Sequence, residues 1–187
     1  MSGRDKYQPG PAAGAHVDKE GGNWTLVLVR ELRHPPARVW AALTDPEQLR
    51  EWAPFDADRN LATVGAVRLT TAGMPSTLSP EGQVQRAEPG KLLEFTWGGK
   101  QLRWQLEPLR GGGTRLTLWH NIDRSFIAMG AAGWHICLEV LDLLLAGEPI
   151  GRLVAAEPLA FPGWQRLHSD YARQFGVAPP DSIPPRS

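Results

Sequence analysis

Cysteine is almost absent from this sequence, which contains Cys137 alone. A single cysteine excludes an intramolecular disulfide and is typical of proteins from a reducing compartment. The first 22 residues contain no apolar stretch of the kind that a secretory signal peptide needs. The cytoplasm is therefore the expected location.

An excess of charge of either sign is also missing, because 20 Lys and Arg residues balance 20 Asp and Glu residues. Proteins that bind nucleic acid normally present a basic surface, and polybasic segments dock on anionic membranes. Since the sequence has neither feature, nucleic acid is not an expected partner. The most apolar segment, residues 134–146, includes three polar residues and is too short to span a bilayer, so stable membrane insertion is not expected either.

Both ends of the sequence lack hydrophobic periodicity. Residues 1–22 are rich in glycine, proline, alanine and charge, and residues 177–187 contain four prolines. Such composition predicts a disordered N-terminal tail and a disordered C-terminal tail. The remaining residues, 23–176, have the length of one domain with a sizeable core.

The domain begins with the pattern of one strand and two short helices. Residues 24–34 are rich in leucine and β-branched residues, which is typical of a strand, and the following Pro35-Pro36 ends it. A short helix is predicted over residues 37–43, and Asp45 is the predicted N-cap of a second one. Turn-forming sequences then separate five predicted strands, at residues 64–70, 82–87, 91–97, 101–107 and 114–120.

The second half of the domain changes from strand to helix periodicity. Leu102, Trp104 and Leu106 alternate with polar residues, which predicts antiparallel strands with one buried face. The helix predicted over residues 134–146 is apolar around most of its circumference, so we expect a curved sheet to wrap around it. A last helix, residues 163–175, has an ordinary amphipathic stripe and is expected to pack outside. If it exposes its aromatic side chains, a homodimer is expected.

The stretch from Arg30 to Pro46 carries a resemblance to a known family. Its Pro-Pro-x-x-Val-Trp and Thr-Asp-Pro sequences resemble the opening of the START-like (SRPBCC) superfamily, and most of all the branch named after the activator of the heat-shock protein ATPase. Gly65, the hairpin around Pro89 and the Gly133-Trp134 pair resemble further landmarks of that superfamily, so that the resemblance covers about residues 24–146.

This resemblance implies an α+β helix-grip fold, the fold of the birch-pollen-allergen-like proteins. It consists of a curved antiparallel sheet of about six or seven strands around a long C-terminal helix, with two short helices after the first strand. The superfamily includes lipid carriers, cyclases, hormone receptors and uncharacterised bacterial proteins. The resemblance therefore says more about the fold than about the function.

Three functions are compatible with the sequence. The leading hypothesis is that the protein binds a small hydrophobic or amphipathic molecule, such as a lipid, in a cavity between the sheet and the C-terminal helix. The family name implies a second one, a co-chaperone-like partner that stimulates a heat-shock ATPase. The third, a cyclase- or hydrolase-type enzyme using the same cavity, ranks last because no convergent acid and base are visible.

No catalytic set, metal site or cofactor motif is predicted. His135 and Cys137 are two residues apart and point away from each other on a helix, and His135 with Glu139 lacks the second histidine of a zinc-protease motif. His120 is the expected polar anchor for a ligand, with a core histidine hydrogen-bonded to backbone as the alternative. Plain core packing is likewise the alternative for each tryptophan. The expected ligand-binding residues are Trp52, Phe55, Met74, Trp97, Trp104, Trp119, His120, Trp134, Leu138 and Leu141.

Overall fold

Eight antiparallel strands form one curled sheet in the computed structural model, which describes residues 3–75, 81–153 and 162–177. The order of strands across the sheet is β1-β2-β8-β7-β6-β5-β4-β3. The strands are β1 (Ala15–Glu20), β2 (Asn23–Leu32), β3 (Phe55–Ala57), β4 (Gly65–Thr71), β5 (Glu81–Glu88), β6 (Leu92–Trp97), β7 (Lys100–Pro108) and β8 (Thr114–Asn121).

In the described residues, five α-helices accompany the sheet. Asp45 caps α3 as predicted, because its side chain accepts a hydrogen bond of 3.0 Å from the backbone N–H of Glu47. The α+β helix-grip fold is confirmed, with eight strands instead of six or seven. The helices are α1 (Gly3–Lys6), α2 (Pro36–Thr44), α3 (Pro46–Trp52), α4 (Ile127–Leu145) and α5 (Pro162–Phe175).

The two additional strands are the edges of the sheet. β1 pairs with β2 from Ala15 opposite Leu28 to Glu20 opposite Asn23. The two-residue turn between them is Gly21-Gly22, and both glycines have positive φ angles, as a tight hairpin turn requires. β3 is three residues long, and among the described strands it pairs with β4 alone.

Residues 3–22, for which the sequence predicts a disordered tail, contain α1 and β1 and contact the body of the domain. Residues 3–14, here called the N-terminal strap, lie across α4 and α5. The guanidinium of Arg166 donates to the carbonyl of Pro9 at 2.7 Å, and that of Arg30 donates to the carbonyl of Ala13 at 2.9 Å. Apart from Val177, the expected C-terminal tail lies outside the described residues.

The long helix α4 is buried on two sides. It begins seven residues earlier than predicted, and a Cβ at Gly130 would lie 2.5 Å from Cδ1 of Ile122, so a larger residue there would require the Ile122 side chain to shift. The inner face of the sheet covers one side. α5 covers another with the buried side chains of Trp164, Leu167 and Tyr171, so most of the aromatic stripe of α5 packs within the chain.

One segment of the described residues, Arg124–Leu145, has the length and apolar composition of a membrane-spanning helix. It comprises a single 3₁₀ turn, Arg124–Phe126, followed by α4. Most of the segment is buried among the other elements of a fold that is typical of soluble domains. Burial on two sides accounts for its apolar composition.

Substitution Leu167→Ala tests whether α5 belongs to the core. Leu167 is fully buried, so its truncation is expected to lower the free energy of unfolding by about 2–5 kcal/mol, measured by urea denaturation. Met129→Ala on α4 is the control, because Met129 is 43% exposed and its truncation is expected to cost about 0.5 kcal/mol. Equal losses in the two variants would contradict the packing of α5 described above.

Candidate functional site

A set of aromatic rings lies between the inner face of the sheet and α4. Neighbouring rings have centroid separations between 5.1 and 6.1 Å, and most contacts are edge-to-face. Such separations are the favourable range for aromatic pairs. We call this set the interior ring cluster, and its members are Trp52, Phe55, Phe95, Trp97, Trp104, His120 and Trp134.

Strand alternation decides which sheet residues enter the interior ring cluster. On β8, His120 is buried on the inner face together with Leu116 and Leu118. Trp119 lies on the opposite face, where the guanidinium of Arg103 sits 5.1 Å from its ring centre. Trp119 is therefore outside the cluster, which corrects the expectation that it and His120 share one cavity.

The other predicted residues occupy three kinds of position. The structure brings Trp52, Phe55, Trp97, Trp104, His120 and Trp134 together in the cluster. Leu138 and Leu141 are buried along α4, and Met74 is 52% exposed on the turn after β4. Phe95 belongs to the interior ring cluster but is missing from the prediction. The signal was available, because Phe95 is two residues from both Leu93 and Trp97 on β6 and therefore shares their face of the strand.

His120 forms a side-chain hydrogen bond inside this cluster. The indole N–H of Trp134 donates to Nδ1 of His120 at 3.0 Å, and the ring of Trp97 stacks on the imidazole at 5.8 Å. Burial lowers the pKa of His120 to about 4, and the nearby charge of Lys100 acts in the same direction. The imidazole is therefore neutral at physiological pH, and its partner is a side chain instead of the backbone.

The second nitrogen of His120 has no protein partner in the described part of the chain. The hydrogen bond to Nδ1 is the one that the imidazole makes there. Nε2 of His120 is thus a polar atom without a protein partner among the described residues, in a largely apolar setting.

Trp97 closes the cluster toward solvent. It is partly buried, whereas the other members are buried. Its ring contacts those of Phe55, His120 and Trp134, and its indole N–H donates to Oγ1 of Thr71 at 3.1 Å. The side chain of Trp97 thus contacts His120 and Trp134 and is itself partly exposed.

A second polar cluster lies on another side of α4. The carboxylate of Glu139 accepts hydrogen bonds from the hydroxyl of Tyr7, from the backbone N–H of Gly10 at 2.9 Å and from Nε2 of His135 at 3.0 Å. Nδ1 of His135 contacts the hydroxyl of Tyr171 at 2.8 Å. Burial alone would raise the pKa of Glu139, but the hydrogen bonds from His135 and Tyr7 outweigh it and hold the pKa below its usual value.

These contacts fasten the N-terminal strap to the body of the domain. His135 and Glu139 therefore have a structural role that their sequence spacing does not reveal. The described residues contain no group of three or more His, Cys, Asp or Glu side chains that could hold a metal ion.

Three pockets at the surface lie away from the interior ring cluster. One of about 410 Å³ borders Trp24 and Lys100, one of about 430 Å³ borders Tyr7 and Glu139, and one of about 470 Å³ surrounds Arg59. No ring of the cluster lines any of these three. Where the sequence predicts a cavity, the described residues place aromatic rings in contact with one another.

Comparison with known proteins identifies relatives of this fold. The family model described as "Activator of Hsp90 ATPase homolog 1-like protein" matches residues 33–146. A search of the curated proteins found no match.

Solved structures share the fold over most of the chain. A conserved protein of unknown function from Enterococcus faecalis is 17% identical with a TM-score of 0.66, covering 86% of this chain and 89% of that one. CalU16 from Micromonospora echinospora is 18% identical with a TM-score of 0.61, covering 87% and 93%. DynU16, a protein of the dynemicin biosynthetic locus, is 24% identical with a TM-score of 0.58, covering 67% and 48%. At these identities, the likeness concerns the fold alone.

Substitution Glu139→Gln tests the fastening of the N-terminal strap. The amide group cannot accept all three hydrogen bonds, so the free energy that holds the strap closed is expected to fall by about 1–3 kcal/mol. Amide hydrogen exchange of residues 7–14 measures this change. Asp142→Asn is the matched control on the same helix, since its side chain is 58% exposed. Unchanged exchange in Glu139→Gln would show that the carboxylate does not hold the strap.

The buried neutral state of His120 predicts a pH dependence of stability. Its pKa of about 4 in the folded protein lies below the ordinary 6.5, so the unfolded chain binds more protons between these values. The contribution of neutral His120 to the free energy of unfolding is then present above about pH 6.5. It declines as the pH falls toward 4, by about 3 kcal/mol between pH 7 and pH 4.

Urea denaturation of the wild type and of His120→Phe across this range measures the contribution of His120. Between pH 7 and pH 4, the free energy of unfolding of the variant should fall by about 3 kcal/mol less than that of the wild type. The control is His16→Ala, whose side chain is 59% exposed and whose curve should follow that of the wild type. Identical curves for wild type and His120→Phe would contradict the buried neutral imidazole.

Proposed function

This chain belongs to the family of activator of Hsp90 ATPase homolog 1-like proteins, and we propose that it binds a small apolar or amphipathic molecule between its sheet and α4. Ligand binding in an interior cavity is known for the fold of this family. The observation that carries the proposal is the imidazole of His120, which is buried among aromatic rings and has one nitrogen without a protein partner among the described residues.

The chemistry of the interior ring cluster fits such a ligand. Sites for small molecules have mainly hydrophobic and aromatic walls, with a few polar groups that fix orientation. Here Trp97, Trp104 and Trp134 provide aromatic surface around His120. Nε2 of His120 provides the polar group. The indole nitrogens of Trp97 and Trp134 are already used in hydrogen bonds to Thr71 and His120.

We expect entry of the ligand to require a ring to move, because aromatic side chains surround His120. Trp97 is the ring that we expect to move. It is partly exposed, and in the described part of the chain its indole group makes one hydrogen bond, to Thr71. Breaking that bond costs about 0.5–1.5 kcal/mol, and each ring contact contributes a similar amount. An open state at this cost is a minor population, and an aromatic ligand would replace the contacts that Trp97 loses.

The location that we propose is the cytoplasm. Cys137 is buried, and burial raises the pKa of its thiol to about 12, so the thiolate needed for oxidation does not form at neutral pH. A free thiol in the core is compatible with a reducing compartment.

Binding of 2-acetylnaphthalene, followed by quenching of tryptophan fluorescence, tests the proposal. The wild type is expected to show saturable quenching at one site. In Trp97→Ala, the path to His120 is open, so the association rate measured by stopped flow should rise about tenfold or more, as expected when a minor open state limits binding.

The matched control is Trp119→Ala, which removes a tryptophan from the outer face of the same sheet. Its association rate should equal that of the wild type. The proposed function fails if the wild type shows no saturable binding, or if Trp119→Ala changes the rate as much as Trp97→Ala does.

A further inference from the structure

We propose that the interior site selects ligands that carry a hydrogen-bond acceptor, such as a carbonyl, carboxylate or phenolate oxygen, which receives the Nε2–H of His120. This inference rests on the proposed function, and it names the class of molecule that the site takes. The preference for an acceptor depends on the hydrogen bond between Trp134 and His120, because that hydrogen bond determines which nitrogen of the imidazole carries the proton.

The indole nitrogen of Trp134 fixes the tautomer of His120. An indole N–H can donate a hydrogen bond but cannot accept one. Nδ1 of His120 lies 3.0 Å from this group, so it must present its lone pair. A neutral imidazole has one proton, which therefore resides on Nε2. His120 can offer a ligand a donor there but no acceptor.

Full protonation of the ring is disfavoured by the same contact. An imidazolium carries a proton on Nδ1, and this proton would face the N–H of Trp134. The low pKa that burial and Lys100 impose on His120 agrees with this geometry. The charge of Lys100, which is paired with Asp123 at 2.9 Å, also opposes a cationic ligand group close to the imidazole.

The direction of the donor is constrained by the neighbouring rings. Trp97 stacks on the imidazole with an interplanar angle of 28°, and Trp134 meets it edge-on at 84°. Since Trp134 both donates to Nδ1 and meets the imidazole edge-on, the Nε2–H bond keeps a defined direction when Trp97 moves. The ligand that fits best has a flat apolar body, which contacts the rings, and one acceptor oxygen at its edge.

The tautomer can be measured without a ligand. Nitrogen-15 chemical shifts of the imidazole in the wild-type protein at pH 7 should show a protonated Nε2 and an unprotonated Nδ1 for His120. In Trp134→Phe, which removes the donor, the shifts should move toward a mixture of the two tautomers. A protonated Nδ1 in the wild type would overturn the inference, whatever the behaviour of the variants.

The ligand class is tested with four probes of similar shape: naphthalene, 2-acetylnaphthalene, 2-naphthoate and 2-(aminomethyl)naphthalene. The ketone and the carboxylate are expected to bind the wild type about five- to tenfold more tightly than naphthalene, and the ammonium compound more weakly. The ketone and the carboxylate also distinguish a neutral from an anionic acceptor. In His120→Phe, the preference of the ketone over naphthalene should fall to about twofold or less.

The outcomes separate the two proposals. If naphthalene binds as tightly as the ketone and the carboxylate, or if the ammonium compound binds best, the inference is wrong while the proposed function stands. If none of the four probes binds, the proposed function fails and the inference fails with it. The comparison among probes uses the wild type, so it remains decisive even if His120→Phe does not fold.

Discussion

The two-sided burial of α4 is the constraint on which the rest of this structure depends. A helix that is apolar around most of its circumference needs partners on more than one side, and here the sheet and α5 supply them. Consecutive residues of a helix differ by about 100° in direction. Trp134 therefore enters the interior ring cluster, whereas His135 turns to Tyr171 and to the cluster that holds the N-terminal strap. One helix thus organises both the candidate site and the closure of the fold.

Most of the fold could be predicted from the sequence because its signals are local. The central strands, the cap at Asp45 and the last helix follow from alternation, turn residues and helical periodicity. β1 could not be found in this way, since its charged residues resemble those of a tail and only its pairing with β2 makes it a strand. The first turns of α4, residues 127–133, consist mostly of alanine and glycine, and tertiary contact decides their state.

The candidate site could be predicted only in part. Alternation along β7 and β8 correctly placed Trp104 and His120 on one face, and the same rule places Trp119 on the other. Whether rings leave a cavity or fill it depends on their volumes and orientations together, which no local pattern contains. The hydrogen bond between His120 and Trp134 joins residues that are 14 apart in sequence and lie on different elements. Neither the polarity of the site nor the tautomer of His120 could therefore be derived from sequence spacing.

The two edges of the sheet have a consequence for assembly. Edge strands present unpaired N–H and C=O groups that can recruit strands from other molecules, and short length or exposed charge suppresses this. β3 has three residues, and β1 exposes Lys19 and Glu20. Growth of the sheet by strand addition is thereby disfavoured at both ends. A protein partner of this domain would meet its side chains instead of extending its backbone hydrogen bonds.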